Sequence, residues 1–450
     1  MSGSVKLKKG FDLRMKGTAA RELTEGVESV LYAVKPTDFP GLVPRMEVKQ
    51  GDKVQAGSTL FIDKLRPGIR FTSPVSGTVV SVNRGDRRKL LEVVIEKSGE
   101  DYIDFGRQDL SEISAEKVRE LLLVSGLWPA IRQRPYHIIA GPDSLPKSIF
   151  ISGFDTAPLA PDTNFIFGNS VASHFQKGIT ALKRLTNSKI NLVLHGEEGT
   201  PGELKNIAGT EITWFSGPHP AGNVGVHIHH LDPLNKGEVI WIVNFQDVLT
   251  IGRLFEEGIY KNEKIIALTG SEVINPQYYN MITGASVAGI IKDNVKPGRQ
   301  RFISGNVLTG TKIQPDGFLG YYDAQVTVIP EGDYSEFFGW AMPGLNKMSF
   351  YKTFVSSLLP KKNYRLDTNM HGGERAFVMT GKYEQVVPMD IYPMLLLKAI
   401  LAQDIEMMEN LGIYEIAEED FALCEFICPS KIEIQSIVRQ GIDLMIKEMS

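Results

Sequence analysis

Along the first hundred residues, apolar and polar positions alternate in short runs broken by turn residues. Val48-Lys49-Gln50-Gly51-Asp52-Lys53-Val54 leads through Gly57 to Leu60-Phe61-Ile62; residues 71–82 make a second run and Leu90-Leu91-Glu92-Val93-Val94-Ile95 a third. Turns at this spacing predict a small β sandwich or barrel. The period then lengthens. Ser114 as N-cap, Glu116 in the first turn and Val118, Leu121, Leu122 and Val124 on one face predict a helix that ends at Ser125-Gly126. Residues 127–142, with Trp128, Arg132 and Arg134, read as a loop. Strand candidates at 149–151, 190–194, 239–243 and 264–268 then alternate with helices at 171–185 and 248–255. That alternation predicts an α/β layered domain with a largely parallel sheet. Residues 264–330 read as a compact β-rich unit, and Ile434, Ile437, Val438, Ile442, Met445, Ile446 and Met449 fall at the spacing of a closing helix.

Composition sets bounds on this picture. A chain of 450 residues exceeds one ordinary hydrophobic core, which predicts about three domains. With 42% hydrophobic and 23% charged residues it has the balance of a folded soluble protein. The net charge of −4 argues against a nucleic-acid partner. Two cysteines, Cys424 and Cys428, supply no disulfide framework and fit a reducing compartment. The opening residues lack the apolar centre of a signal peptide, and the greasiest stretch, 394–402, is short and broken by Lys398, so the chain is not expected to span a membrane.

The β-rich start resembles the biotinyl/lipoyl barrel-sandwich fold, with Gly51-Asp52 as the tight turn and Gly77 allowing the return. Asp63-Lys64 sits near the place of a carrier lysine, but the connection from 64 to 74 is longer than a carrier hairpin, so the fold is expected without an attached group. A second unusual segment is Gly217-Pro218-His219-Pro220-Ala221-Gly222-Asn223-Val224-Gly225-Val226-His227-Ile228-His229-His230. As a strand it would carry His227 and His229 on one face. Only Asp232 lies close enough to complete a ligand set, so no metal is expected, and the histidines are assigned to packing and polar contacts within a rigid Pro/Gly loop.

That segment, together with Lys9-Gly10-Phe11-Asp12-Leu13, residues 71–82, Ser125-Gly126-Leu127-Trp128, Asn244-Phe245-Gln246-Asp247-Val248, Phe338-Gly339-Trp340-Ala341-Met342-Pro343-Gly344 and Leu423-Cys424-Glu425-Phe426-Ile427-Cys428-Pro429, carries a family likeness running nearly end to end. The chain resembles the A subunit of the Na⁺-translocating NADH:quinone oxidoreductase. The resemblance implies a barrel-sandwich domain (1–105), a Rossmann-like α/β domain (106–263), a β-grasp domain of the soluble-ligand-binding type (264–330) and a C-terminal region (331–450) that becomes helical. It also implies a peripheral subunit on the cytoplasmic face of a bacterial inner membrane, partnered by the other subunits of the complex, especially one embedded in the membrane.

More distant relatives are the C subunit of the Rnf complex and the flavoprotein of respiratory complex I, which bind flavin and NADH through a glycine-rich loop. Here that position reads Ser125-Gly126-Leu127-Trp128-Pro129-Ala130-Ile131-Arg132-Gln133-Arg134-Pro135, whose side chains obstruct a close backbone approach to phosphate. An iron–sulfur cubane needs four thiolates or equivalents; Cys424 and Cys428, four apart on one helix face, are two and read as small buried hydrophobes. No redox cofactor is therefore expected on this chain, the flavins and iron–sulfur centre being left to other subunits and the Na⁺ path to the membrane partners. A ubiquinone-type quinone remains as substrate. Its headgroup asks for apolar walls and one or two donors, which two loops offer: Phe39, Pro40, Gly41 and Leu42 with Arg45 near, and Trp128, Arg134, Tyr136 and His137. The competing readings are a scaffold subunit that touches no substrate and a dehydrogenase subunit that binds flavin and NADH.

Overall fold

A computed structural model describes residues 3–25, 27–196, 200–339, 341–359 and 362–449; Trp340, in one of the family motifs, lies outside the described residues. The expected barrel sandwich is present. Strands Leu31–Val34, Leu90–Lys97, Gly77–Arg84 and Lys53–Val54 form one small sheet, and Pro44–Met46, Thr59–Asp63 and Arg70–Thr72 face it as another. Leu60, Phe61, Phe71, Val79, Val93 and Ile95 fill the space between them. Gly77 is obligatory at its turn, because a Cβ there would lie 2.0 Å from the Glu96 carbonyl oxygen. Asp63 is buried against Arg66 at 2.8 Å, and the Lys64 amide donates to the Val43 carbonyl, so the long connection is tied down at its base.

The helix foreseen after Ser114 spans Ala115–Ser125; Ser114 Oγ accepts from the Lys117 amide, and Gly126 ends it at φ +81°. Beyond it stands a seven-stranded sheet in the order Gly3–Lys6, Glu211–Ser216, Lys189–His195, Ser148–Ser152, Ile240–Val243, Ile131–Arg134, Ile138–Ile139. The first five strands are parallel and the last two form an antiparallel edge hairpin. Near-continuous runs of buried side chains, such as Ile190 and Leu192 to Leu194, suit strands covered on both faces. Helices Ala172–Thr186 and Phe245–Glu257 cover one face and touch backbone to backbone where Gly178 and Gly252 meet. A Cβ on Gly252 would fall 1.8 Å from the His174 carbonyl oxygen.

Two local expectations are corrected. Residues 127–142 are not one loop: Trp128–Ala130 is a 3₁₀ turn, and Ile131–Arg134 pairs with Ile240–Val243 and folds back onto Ile138–Ile139. Its isoleucines suit a pleated surface, and Tyr136 (φ 80°) and His137 (φ 52°) take the left-handed conformation that reverses the chain. The histidine-rich segment is not a strand either. From Asn223 the chain enters the helix Val224–Leu231, so His227 and His229 lie on different faces.

A six-stranded mixed sheet follows, ordered Thr311–Ile313, Gln300–Ser304, Gln325–Pro330, Glu263–Thr269, Gln277–Ile282, Leu23–Thr24. Helices Pro393–Ala402, Ile405–Asn410, Ala422–Ile427 and Ile434–Met449 then pack round a second core. Both cysteines are buried in it. Cys424 is helical, whereas Cys428 lies just past the helix end and accepts a hydrogen bond from Tyr383 Oη at 3.0 Å. Among the described residues no helix is long and apolar enough to cross a membrane.

Candidate functional site

In the parallel sheet, strand Ser148–Ser152 has Lys189–His195 on one side and Ile240–Val243 on the other. The chain order reverses at this point, and in such sheets ligands bind beyond the carboxyl ends of the two diverging strands. A cleft of about 460 Å³ opens there. Ser152, Phe154 and Asp155 leave one strand into it and Val243, Asn244 and Phe245 the other; His219, Gly222 and Asn223 come from the Pro/Gly loop. The barrel sandwich adds Asp38 and Pro40, the edge hairpin Arg132 and His137, the six-stranded layer Asn306 and Tyr322, and the C-terminal helices Glu418, Glu419 and Gln435. Residues from both sheets, the barrel sandwich and the C-terminal helices meet at this cleft.

Arg132 organises one wall. Its guanidinium lies 4.4 Å from the centre of the Tyr322 ring, donates to Asn244 Oδ1 at 2.7 Å and stands 2.5 Å from His137 Nε2. Burial and then the Arg132 charge push the His137 imidazole down to about 4. It is therefore neutral at pH 7, with Nε2 accepting from Arg132 and Nδ1 facing Glu418 Oε2 at 3.8 Å. Burial likewise lowers His219 to about 4, and its Nδ1 sits 3.1 Å from Thr156 Oγ1. Asp38 moves the other way: burial raises it to about 6, although Lys35 and the Tyr321 amide favour its charged form.

Behind this wall lies a buried ionic group. Arg134 is wholly buried, 3.0 Å from Glu419 Oε1 and 3.5 Å from Asp420 Oδ2. Burial, reinforced by the Glu419 charge, lifts Asp420 to about 7 even with Arg134 beside it. Glu419 is shifted down: burial opposes this, but the Arg134 and Arg132 charges beside it favour the carboxylate. Lys264, also at the cleft, forms a second buried pair with Asp247 at 2.8 Å.

The eight candidate residues fare differently. Pro40 and His137 reach the cleft lining from their separate loops. Phe39 is buried beneath, its ring 4.7 Å from Phe71 and 5.0 Å from Tyr321. Trp128 is wholly buried and its Nε1 donates to the Ala140 carbonyl at 2.8 Å. Arg134 reaches the site only through Glu419, and Tyr136 turns toward Tyr414, ring centres 6.1 Å apart. Gly41 and Leu42 do not line the cleft. Sequence reasoning missed Tyr322, Asp155 and the Glu418–Glu419 pair; Asn244 and His219 belonged to segments it singled out without a role. The histidines have separate protein partners: His227 Nε2 donates to Ala221 O at 2.8 Å, His229 Nδ1 to Glu415 at 2.8 Å and His230 Nε2 to Pro388 O at 2.9 Å. Among the described residues no group of three potential metal ligands comes together.

Family models match the chain in succession: the NqrA N-terminal barrel-sandwich hybrid domain over residues 5–98, the NqrA second alpha/beta domain over 113–260 and the NQRA C-terminal domain over 265–314. The chain is 42% identical over 441 residues to the A subunit of the Na⁺-translocating NADH-quinone reductase of Yersinia pseudotuberculosis serotype O:1b (strain IP 31758), covering 97% of this chain and 98% of that one. It is 39% identical over 448 residues to the protein of that name from Pasteurella multocida (strain Pm70), covering 99% and 100%. Among solved structures, the NAD⁺-reducing nickel–iron hydrogenase in its air-oxidised state is similar over 75% of this chain and 64% of its own, at 11% identity and a TM-score of 0.38.

Proposed function

Because the chain belongs to the NqrA family, the A subunits of the Na⁺-translocating NADH-quinone reductases, we propose that it works as a peripheral component on the cytoplasmic face of a bacterial inner membrane. The complex oxidises NADH, reduces a ubiquinone-type quinone and moves Na⁺, and this chain, docked on a membrane subunit, helps form the quinone site. We infer four units: the barrel sandwich (1–105), a Rossmann-like domain (106–263), a β-grasp domain (264–330) and a C-terminal region (331–450). The barrel sandwich serves as a docking and wall element without an attached group. The chain carries no redox cofactor of its own: where a glycine-rich loop would cradle phosphate stand Trp128 and Arg134, with side chains wholly buried.

The observation that carries the quinone reading is that the two loops with headgroup chemistry converge, Pro40 and His137 lining one cleft. Phe154, Ile242 and the Tyr322 ring offer it a flat apolar surface, and the Arg132 guanidinium a donor for a carbonyl oxygen. Formation of quinol takes up two protons, and Asp38, raised to about 6, is a group of the lining that titrates near neutrality. The test is binding of a short-chain ubiquinone to the purified full chain, with turnover of the assembled complex. Arg132→Gln and His137→Gln are expected to weaken binding roughly tenfold, the loss of one or two hydrogen bonds; unchanged affinity and turnover refute the assignment. An optical spectrum of the purified chain showing stoichiometric flavin refutes the cofactor-free reading.

A further inference from the structure

Exposed apolar side chains are unevenly distributed. Among the described residues 25 large hydrophobic side chains stand open to solvent, and eight of them fall between residues 337 and 359. Phe337 (89% exposed) and Leu358 (84%) are the most exposed of all. Scattered single residues need no account, but this density marks a contact surface.

The same stretch has an unusual charge pattern. Residues 337–366 contain five lysines and arginines, seven aromatic residues and no aspartate or glutamate, in a chain of net charge −4. Its root is fixed to the body: the Phe350 ring stands 5.3 Å from Phe11, Tyr351 Oη donates to the Ile427 carbonyl at 2.8 Å and the Tyr364 amide to the Arg14 carbonyl at 2.8 Å. The rest folds back on itself, the Val355 amide donating to Pro343 O at 2.9 Å and Lys362 Nζ to Leu345 O at 2.6 Å. Some of the charge is spent internally, since Lys347 pairs with Glu336 and Arg365 with Glu272. Lys352 and Lys362 form no ion pair among the described residues. The result is a lobe that exposes apolar side chains and carries two lysines, Lys352 and Lys362, with no carboxylate partner among the described residues.

We propose that this lobe, residues 337–339, 341–359 and 362, seats on the anionic headgroup surface of a lipid bilayer, its exposed phenylalanine and leucine tips entering the interface and Lys352 and Lys362 facing phosphate. Two features favour lipid over protein as the occupant. The buried centres of protein interfaces are depleted in lysine, whereas exposed aromatic side chains mixed with an excess of lysine over carboxylate match a bilayer interface, where apolar insertion and attraction to anionic lipid add. The inference does not depend on where quinone binds.

The experiment is co-sedimentation of the purified full chain with vesicles of phosphatidylcholine alone or with roughly one-third phosphatidylglycerol, at low and high salt. Binding is expected to the anionic vesicles, weaker at high salt and weaker still to neutral ones. The paired substitution Phe337→Ser/Leu358→Ser is expected to cut the partition coefficient roughly tenfold or more. Lys352→Gln should lower only the salt-sensitive part. These positions are exposed, so an unchanged melting temperature verifies folding of the variants. Equal binding to both vesicle types, no binding to either, or full binding by the paired variant overturns the proposal; a chain held only by vesicles containing the membrane subunits has a protein there instead.

Discussion

Arg134 offers the sharpest test of the energetics. It is wholly buried and contacts Glu419 at 3.0 Å and Asp420 at 3.5 Å, with Asp420 already raised to about 7. Arg134→Met keeps much of the volume and removes the charge. Unit charges about 4 Å apart in surroundings of effective dielectric about 20 attract by about 4 kcal/mol. Removing one member of a buried pair costs about 3–5 kcal/mol, because the remaining charge stays buried without a counter-ion. For a chain of 450 residues, with an unfolding entropy of about 2.1 cal/mol/K per residue, the loss corresponds to a fall in Tm of roughly 3–5 °C. The pH dependence gives the assay its discrimination. Without Arg134 the folded pKa values of Glu419 and Asp420 both rise. A carboxylate with a raised folded pKa costs stability fully above that pKa, and the cost vanishes as pH falls toward the unfolded value near 4. The deficit should therefore be largest near pH 8 and shrink toward pH 5, and adding Asp420→Asn should recover part of it at pH 8. Thermal melting of the full chain across that range measures both. A deficit independent of pH, or one under about 2 °C at pH 8, refutes the reasoning.

Three further outcomes follow from the geometry. Gly252→Ala places a Cβ 1.8 Å from the His174 carbonyl oxygen and forces two packed helices apart; a loss of about 3 kcal/mol is expected, read by thermal melting. Lys264→Met strands Asp247, its partner at 2.8 Å with both side chains 2% exposed. It should cost about 3 kcal/mol, and the double variant Lys264→Met/Asp247→Leu should lose less than Lys264→Met. Glu331 is held down to about 2, chiefly by hydrogen bonding to Arg301. Its stabilising contribution is present above the unfolded carboxylate range and disappears as pH falls through about 2, so Glu331→Gln should melt below the parent at pH 7 and converge with it in acid.

Local features were legible wherever a short stretch of chain contains its own cause. Ser114 and Gly126 mark both ends of their helix, because capping and a left-handed terminus are decided within a few residues. The buried strands at 190–194 and 240–243 announce themselves by uninterrupted apolar runs. Errors arose where distant chain decides. Residues 131–139 look like a loop until the Ile240–Val243 strand supplies hydrogen-bond partners. Residues 224–231 contain β-branched residues and histidines that fit a strand, yet Gly225 lets the helix sit against Asp420, where a Cβ would meet the carboxylate at 2.5 Å. The cleft was half legible. Pro40 and His137 stand in the two loops that the sequence singles out and line the cleft, whereas Glu418, Glu419 and Tyr322 come from segments far away in sequence whose meeting no periodicity announces.

The parallel pairing of Gly3 with Thr213 bears on how the chain is made. The strand Gly3–Lys6 leaves the ribosome some two hundred residues before its partner exists, and through that interval its amides and carbonyls are open to any other extended peptide. Its docking adds the border strand to the seven-stranded sheet, whose last strand in chain order ends at Val243, so this layer is completed only once about half of the chain has been made, and its nascent form invites a holding chaperone.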